Sequence, residues 1–373
     1  MEALFGNIMN LEFRQVIMWL VGGTLIYLAI KKDMEPTLLL PMGFGAILVN
    51  LPMSGAITQI HEGLEEVGII DLLFDSGIAN ELFPLLLFIG IGAMIDFTPL
   101  LSNPKLMLFG AAAQFGIFFT LSMASLLGFD IKDAASIAII GAADGPTSIF
   151  VANFFKSAYL GPIIVAAYSY MALVPIVQPP VIRLLTTKKE RLIRMDYTSV
   201  KVSHTSKILF PIVVTIITGL VSPRSLALVG FLMFGNLVRE CGVLNSLSDT
   251  AQKVLANLIT LFLGITVSAK MTADAFLNPK TLMILGLGLV AFVFDTAGGV
   301  LFAKLINLFS KKKVNPMIGA AGISAFPMSA RVVHKMGLAE DKSNFLLMHA
   351  VGANVSGQIA SVIAGGLILN FFG

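Results

Sequence analysis

At 373 residues, 56% of them hydrophobic and only 13% charged, the chain departs far from the roughly one-quarter charged content of soluble domains, which excludes a water-soluble enzyme and reads as a polytopic membrane protein. Its net charge of +3 gives no nucleic-acid signature, because the basic residues cluster between apolar runs, where membrane topology places them. One cysteine, Cys241, excludes an internal disulfide framework and any CxxC metal or redox motif.

Apolar segments fall near residues 13 to 30, 36 to 54, 82 to 102, 106 to 128, 158 to 182, 208 to 222, 225 to 238, 254 to 270, 281 to 306 and 344 to 371. At about 17 to 25 residues per span they predict about ten transmembrane helices in an all-α fold. The first run, Gln15 to Ile30, is followed by Lys31 and Lys32 and lacks a basic n-region and a small-residue cleavage site, so it reads as a retained helix. Two further apolar segments, 134 to 155 and 314 to 333, are interrupted by Gly145-Pro146 and by Gly322 and Pro327. They read as re-entrant hairpins, since broken backbone at membrane depth survives only where it is buried in protein or lines a wet cavity. No long polar stretch offers an appended aqueous domain, so residues 1 to 373 are expected to form one membrane unit.

Loops rich in Lys and Arg lie in the cytoplasm. With Lys31 and Lys32 inside, the loop from 55 to 81 falls outside, and it carries Glu62, Glu65, Glu66, Asp71, Asp75 and Glu81 without a Lys or Arg. Alternation then puts Arg183, Lys188, Lys189, Arg191, Arg194, Lys201 and Lys207 inside, together with Lys311, Lys312 and Lys313.

An internal repeat crosses this topology. LFIGIGAMID at 87 to 96, NPKLMLFG at 103 to 110 and IIGAADGPTS at 139 to 148 are echoed in order about 175 residues later by LFLGITVSAK, NPKTLMILG and MIGAAGISAFPMS. An odd number of crossings between the two GAA segments makes the repeats, approximately 82 to 182 and 254 to 373, inverted. Inverted repeats with broken helices near the midplane are a recurrent design of ion-coupled transporters.

Asp144 is the residue most in need of explanation, because an ionisable side chain at bilayer depth is expensive and functional by default. Gly145 and Pro146 open the helix and free carbonyls, while Thr147 and Ser148 add hydroxyl oxygens. One carboxylate among neutral oxygens suits a small monovalent cation, Na⁺ or H⁺. The bland alternative makes Asp144 the cap of the following half-helix, a role weakened by the missing amide of Pro146. The second repeat offers Asn315, Ser324 and Ser329, and the last span adds Asn354, Ser356 and Ser361. Asn354 and Ser361 stand two turns apart on one face, although small and hydroxyl residues also simply pack membrane helices. Tyr170 falls within a span, where its hydroxyl anchors an interface or reaches the Asp144 region. Arg331 and His334 close the second hairpin and both can snorkel. Asp96 falls near a span end and Asp295 at mid-span. There is no HExxH, P-loop, GxSxG or dinucleotide fingerprint.

GAADGPTSIF, YSYMALVPIVQPP, NPMIGAAGISAFPMSARVV and HAVGANVSGQIAS resemble, in order and spacing, the β subunits of the biotin-dependent sodium-pumping decarboxylases of oxaloacetate, methylmalonyl-CoA and glutaconyl-CoA. The resemblance covers nearly the whole chain. It implies decarboxylation of carboxybiotin coupled to Na⁺ export in a bacterial cytoplasmic (inner) membrane. The implied partners are a carboxyltransferase α subunit, a biotin carrier subunit and small γ/δ membrane subunits, with a homo-oligomer expected. It also implies Asp144, Tyr170, Ser324 and Arg331 as catalytic residues, Arg331 toward the biotin, and Asp144, Asn315, Ser324, Asn354 and Ser361 around Na⁺. Ala142, Ala353 and Ser329 depart from the family pattern without removing a donor or acceptor of that set. The competing class is a secondary carrier of the Na⁺/H⁺ antiporter type, with a channel as a third. A short central loop favours a CoA-ester decarboxylase over the oxaloacetate enzyme.

Overall fold

The computed structural model describes residues 10 to 61, 64 to 195 and 201 to 373; Glu62 lies outside the described residues. Each of the ten apolar segments contains a helix, and among the described residues seven helices are long and apolar enough to cross a membrane. These are Phe13–Lys32, Pro104–Leu126, Leu160–Leu185, His204–Val221, Asn245–Lys270, Pro279–Phe309 and Leu347–Phe372. The chain is a multi-pass, all-α membrane protein. Three apolar segments yield shorter helices, Pro36–Val49, Leu82–Met94 and Leu226–Glu240.

The shorter lengths have local causes. Pro36–Val49 stops at Asn50, whose amide donates to the Ala46 and Met271 carbonyls and ties the helix end to a distant loop. The segment expected to run from 82 to 102 breaks after Met94, and the chain turns through Asp96, which accepts from the Thr98 amide at 2.8 Å. The acidic loop also holds more structure than its polarity suggests. A hairpin of Gln59–His61 with Leu64–Glu66 leads into Ile69–Ala79, bent by 60° against Leu82–Met94. That bent pair makes an eighth span if it crosses as one unit.

Some helix starts carry side-chain caps, those of Ile131–Ala138, His204–Val221 and Pro279–Phe309 among them. Pro279–Phe309 begins with Pro279 at a position where its missing N–H costs nothing, and the Asn278 side chain accepts from the Lys280 amide at 2.9 Å. Packing uses close backbone approach: Leu82–Met94 lies so near Leu226–Glu240 that a Cβ on Gly92 would overlap the Leu232 carbonyl.

Both interrupted segments are broken as expected. The first runs as Ile131–Ala138, a tighter turn Ile139–Ala142, a break at Ala143 and Asp144, and a second half-helix Gly145–Phe154. The second runs as Met317–Ala320, a non-helical stretch from 321 to 327, and Met328–Glu340. They meet directly, with the Ser324 amide donating to the Ala142 carbonyl at 3.1 Å. The final helix, Leu347–Phe372, packs along this meeting point, and the largest buried cluster of apolar side chains surrounds it.

Candidate functional site

The first broken segment aims its carboxylate by backbone geometry. Ala143 adopts a left-handed conformation, φ +52°, which costs a non-glycine residue about 1–2 kcal/mol. Asp144 follows in extended form and caps the second half-helix, accepting from the Thr147 amide through Oδ1 at 3.4 Å. The cap therefore bypasses Pro146, and capping coexists with a second use of the side chain. The other oxygen, Oδ2, faces Thr147 Oγ1 at 2.8 Å, Ser361 Oγ at 2.8 Å, Ser324 Oγ at 3.2 Å and Gln358 Nε2 at 3.2 Å. Those partners come from the same half-helix, the second broken segment and the final helix, and all are buried.

Hydrogen bonds to a charged acceptor contribute about 1.5–3 kcal/mol each when made. Four donors cannot all be served by one oxygen. Ser361 Oγ lies also 3.0 Å from Ser324 Oγ and 3.0 Å from the Gln358 carbonyl, so its single proton has three acceptors to choose from. The hydroxyls are therefore soft: small rotations expose their lone pairs to a cation lying against Oδ2, or pass a proton along Ser324 and Ser361. A single carboxylate balances one positive charge, and the donor set contains only oxygens and one amide, the chemistry of Na⁺ or H⁺ rather than of a transition metal. Among the described residues no group of three or more His, Cys, Asp or Glu side chains could hold a metal ion.

The remaining sequence candidates separate. Asn354 does not touch Asp144; its amide donates to the Ile323 carbonyl at 2.7 Å, one residue before Ser324, and its Oδ1 is buried without a hydrogen-bond partner. It holds the non-helical backbone that presents Ser324. Asn315 lies elsewhere: its amide bonds the Arg191 and Ile193 carbonyls, both at 2.9 Å, and its Oδ1 accepts from Met317 N. That side chain fastens the basic loop to the start of the second broken segment. Tyr170 does not reach Asp144 either, because its hydroxyl donates to the Leu285 carbonyl. Tyr168 does lie there. Residues two apart point to opposite sides of a helix, and the Tyr168 ring is packed so closely on Gly145 that a Cβ at Gly145 would overlap it. The Tyr168 hydroxyl is buried with no hydrogen-bond partner.

Ser329 and Ser356 serve packing, the first bonded to Gln178 and the Ala320 carbonyl, the second accepting from the Gly110 amide. Asp295 is fully buried at mid-helix, its Oδ1 taking the Gly116 amide at 2.5 Å, and it forms no part of the Asp144 cluster. Thr147 takes the place expected of it, on Asp144 Oδ2, whereas Gln358 was not singled out by sequence. Gln358 follows Asn354 by four residues and precedes Ser361 by three, so helical spacing alone places it on their face.

Arg331 occupies a separate cleft of about 360 Å³ lined also by Asp33, Glu35, Pro179 and Lys335. Asp33 and Glu35 both adopt left-handed backbone conformations, φ +52° and +36°, in the turn between the first two helices. Burial raises the Glu35 carboxyl above its ordinary range, with Arg331 pulling it down and Asp33 pushing it up.

The site and the broken-helix architecture define an ion-coupling membrane protein, and comparison with known sequences makes the class specific. Residues 14 to 372 match the family of the Na⁺-transporting oxaloacetate decarboxylase beta subunit. The chain is 51% identical to the methylmalonyl-CoA decarboxylase subunit beta of Propionigenium modestum, over 98% of this chain and 96% of the relative, in an alignment of 382 positions. It is 50% identical to the glutaconyl-CoA decarboxylase subunit beta of Acidaminococcus fermentans over 96% and 93% of the two chains, in 357 positions. A probable oxaloacetate decarboxylase beta chain of Vibrio cholerae is 45% identical over 98% and 97%, in 420 positions. The chain therefore belongs to the family of β subunits of Na⁺-transporting decarboxylases, and the antiporter alternative gives way to it.

Proposed function

We propose that this chain is the membrane subunit in which loss of CO₂ from carboxybiotin drives Na⁺ out of the cell, with Asp144 as the residue that alternately holds Na⁺ and a proton. The observation that carries the reading is the convergence of Thr147, Ser324, Gln358 and Ser361 on one oxygen of a buried, helix-breaking carboxylate. The biotin, carried by a partner subunit, supplies a carboxylate whose departure as CO₂ leaves a ring nitrogen that must take up a proton. Arg331 and Lys335 offer cationic groups to that carboxylate at the cleft mouth, and the carboxylates of Glu35 and Asp33 offer acceptors for ureido N–H. Asp144, protonated from the outer side, cannot balance Na⁺ and releases it there; it then gives that proton to the biotin nitrogen and, deprotonated, attracts the next ion. Ser324 and Ser361 orient either occupant, and Asn354 positions Ser324. Tyr168, rather than Tyr170, is the phenol adjoining Asp144.

In this reading the holoenzyme contains a carboxyltransferase α subunit, a biotin carrier and small γ/δ membrane subunits, and the membrane chain forms a homo-oligomer. The acyl substrate is a CoA ester. Supporting this are the higher identity to the methylmalonyl-CoA and glutaconyl-CoA relatives and the longer alignment to the Vibrio cholerae relative, which implies insertions that this 373-residue chain lacks. Residues 82 to 182 and 254 to 373 are inverted repeats of one membrane domain; matching sequence landmarks and the presence of one broken segment in each support it. Cysteines placed near Glu65 are expected to label from outside and those near Lys189 only from the cytoplasm; the opposite pattern refutes this topology and, with it, the hairpin directions on which the inversion rests. The main reading is tested by mild-detergent purification from the native host. Copurification of a biotinylated carrier and a carboxyltransferase, with Na⁺-stimulated decarboxylation of an acyl-CoA, is expected; Na⁺/H⁺ exchange by the chain alone in vesicles would refute it.

A further inference from the structure

Two clefts outside the Asp144 site meet on the outer face of Pro279–Phe309. One, of about 590 Å³, lies near the end of that helix, where Lys189, Lys304 and Lys313 line it beside Leu301, Leu305 and Leu308. The other, of about 440 Å³, runs deeper between the same helix and Pro104–Leu126. Its walls include Ala112, Phe115, Phe118 and Phe302, and none of the described residues that line it is charged. Leu301 and Leu305 line both clefts, so the two adjoin across one leucine ridge. Three lysines face a single acid, Glu190, which is already paired with Lys304 at 3.2 Å. Lys304 is further fixed by the Leu185 carbonyl at 3.0 Å. Among the described residues Lys189 and Lys313 have no carboxylate partner in the cleft, and Lys313 Nζ donates only to the neutral Asn307 carbonyl.

We propose that this double cleft is a binding site for an anionic phospholipid, its phosphate held by Lys189 and Lys313 and an acyl chain laid over Leu305 and Leu301 into the apolar groove. The ordering of surfaces selects this occupant. A hydrophobic groove alone would accept any lipid chain or another helix, but here a surplus of lysines stands at the helix end and all charge vanishes toward mid-helix, which is the polarity of a lipid molecule. Basic pockets between membrane helices recognise anionic headgroups in this way, each Lys or Arg near an anionic surface contributing about 1 kcal/mol. The flanking Lys311 and Lys312, both exposed, extend the same positive field.

Native mass spectrometry of the full chain tests this, after delipidation and titration with phosphatidylglycerol or phosphatidylcholine. Phosphatidylglycerol is expected to remain bound under activation that strips phosphatidylcholine. Lys189→Gln/Lys313→Gln leaves the Lys304–Glu190 pair in place, and it is expected to weaken phosphatidylglycerol retention about thirtyfold, two lysines' worth. Leu301→Trp, which narrows the ridge at an exposed position, is expected to lower retention of that lipid without altering the lysines. Equal retention of the two lipids, or undiminished phosphatidylglycerol binding by the double variant, would overturn the proposal. So would occupation of the groove by a second copy or by a partner helix that leaves no lipid bound in the intact complex. None of these outcomes bears on Asp144, so the lipid site and the decarboxylase reading stand or fall separately.

Discussion

The two broken segments are alike in outline and opposite in chemistry. The first carries a carboxylate, a left-handed alanine before it and hydroxyls after it; the second carries no charge at its break and contributes Ser324 from non-helical backbone that Asn354 holds in place. In the proposed site one segment supplies the charge that a cation would meet, and the other supplies a neutral oxygen and the frame that aims it. A symmetric pair of carboxylates would hold a divalent ion or trap a monovalent one. Splitting the roles leaves one negative charge that a single proton can cancel, which is what release of Na⁺ requires.

Removing the charge is the sharpest way to break that division. Asp144→Asn keeps the side-chain shape and the cap on Thr147, so assembly and carboxyl transfer to the carrier are expected to survive while Na⁺-coupled decarboxylation falls to background; substantial Na⁺ pumping by this variant would remove Asp144 from the mechanism. Disturbing the neutral side has smaller consequences. Ser324→Ala deletes the hydroxyl 3.2 Å from Asp144 Oδ2, and the Na⁺ concentration for half-maximal turnover is expected to rise up to about tenfold, or 1.4 kcal/mol. Asn354→Ala leaves the Ile323 carbonyl buried without its donor, so it should shift the same Na⁺ curve and also lower stability by about 1–3 kcal/mol. A thermal melt alongside the Na⁺ titration separates the ligand from the residue that positions it.

The smallest effect belongs to the Arg331 cleft. A carboxyl whose folded pKa is raised contributes stability that is present at acid pH, below its ordinary value, and lost as pH rises through the raised one. Burial raises Glu35, against the pull of Arg331. Glu35→Gln should therefore match the parent at the acid end and exceed it at neutral pH by less than about 1 kcal/mol. Melting temperature against pH checks the sign, and a variant less stable than the parent at neutral pH would mean that the Arg331 attraction outweighs burial.

Most of the frame was legible because hydropathy, Gly-Pro breaks and a self-similar chain are one-dimensional signals. Asp144 was legible for the same reason, as a charge in an apolar run. The cluster around it was only half legible. Ser361 and Gln358 share a helical face with Asn354 but lie 217 and 214 positions from Asp144, and nothing local says which of three polar side chains on that face points inward. Tyr168 and Tyr170 are equivalent in composition and differ only in the rotation of their helix, which tertiary packing sets. Asn315 was expected among the Na⁺ ligands as a neutral group of the second repeat and through the family resemblance, yet the nearby basic loop offers its amide two carbonyls.

The central claim is that the cation site is the Asp144–Ser324–Ser361 cluster and not the wider set of polar residues in the second repeat. Decarboxylation by the assembled complex, measured against Na⁺ for Ser361→Ala and Asn315→Ala side by side, tests it most directly. The account predicts a half-saturating Na⁺ concentration raised about tenfold for Ser361→Ala, with rate recovered at high Na⁺, and an unshifted Na⁺ curve for Asn315→Ala. An unshifted curve for Ser361→Ala, or an equal shift in both, would contradict it.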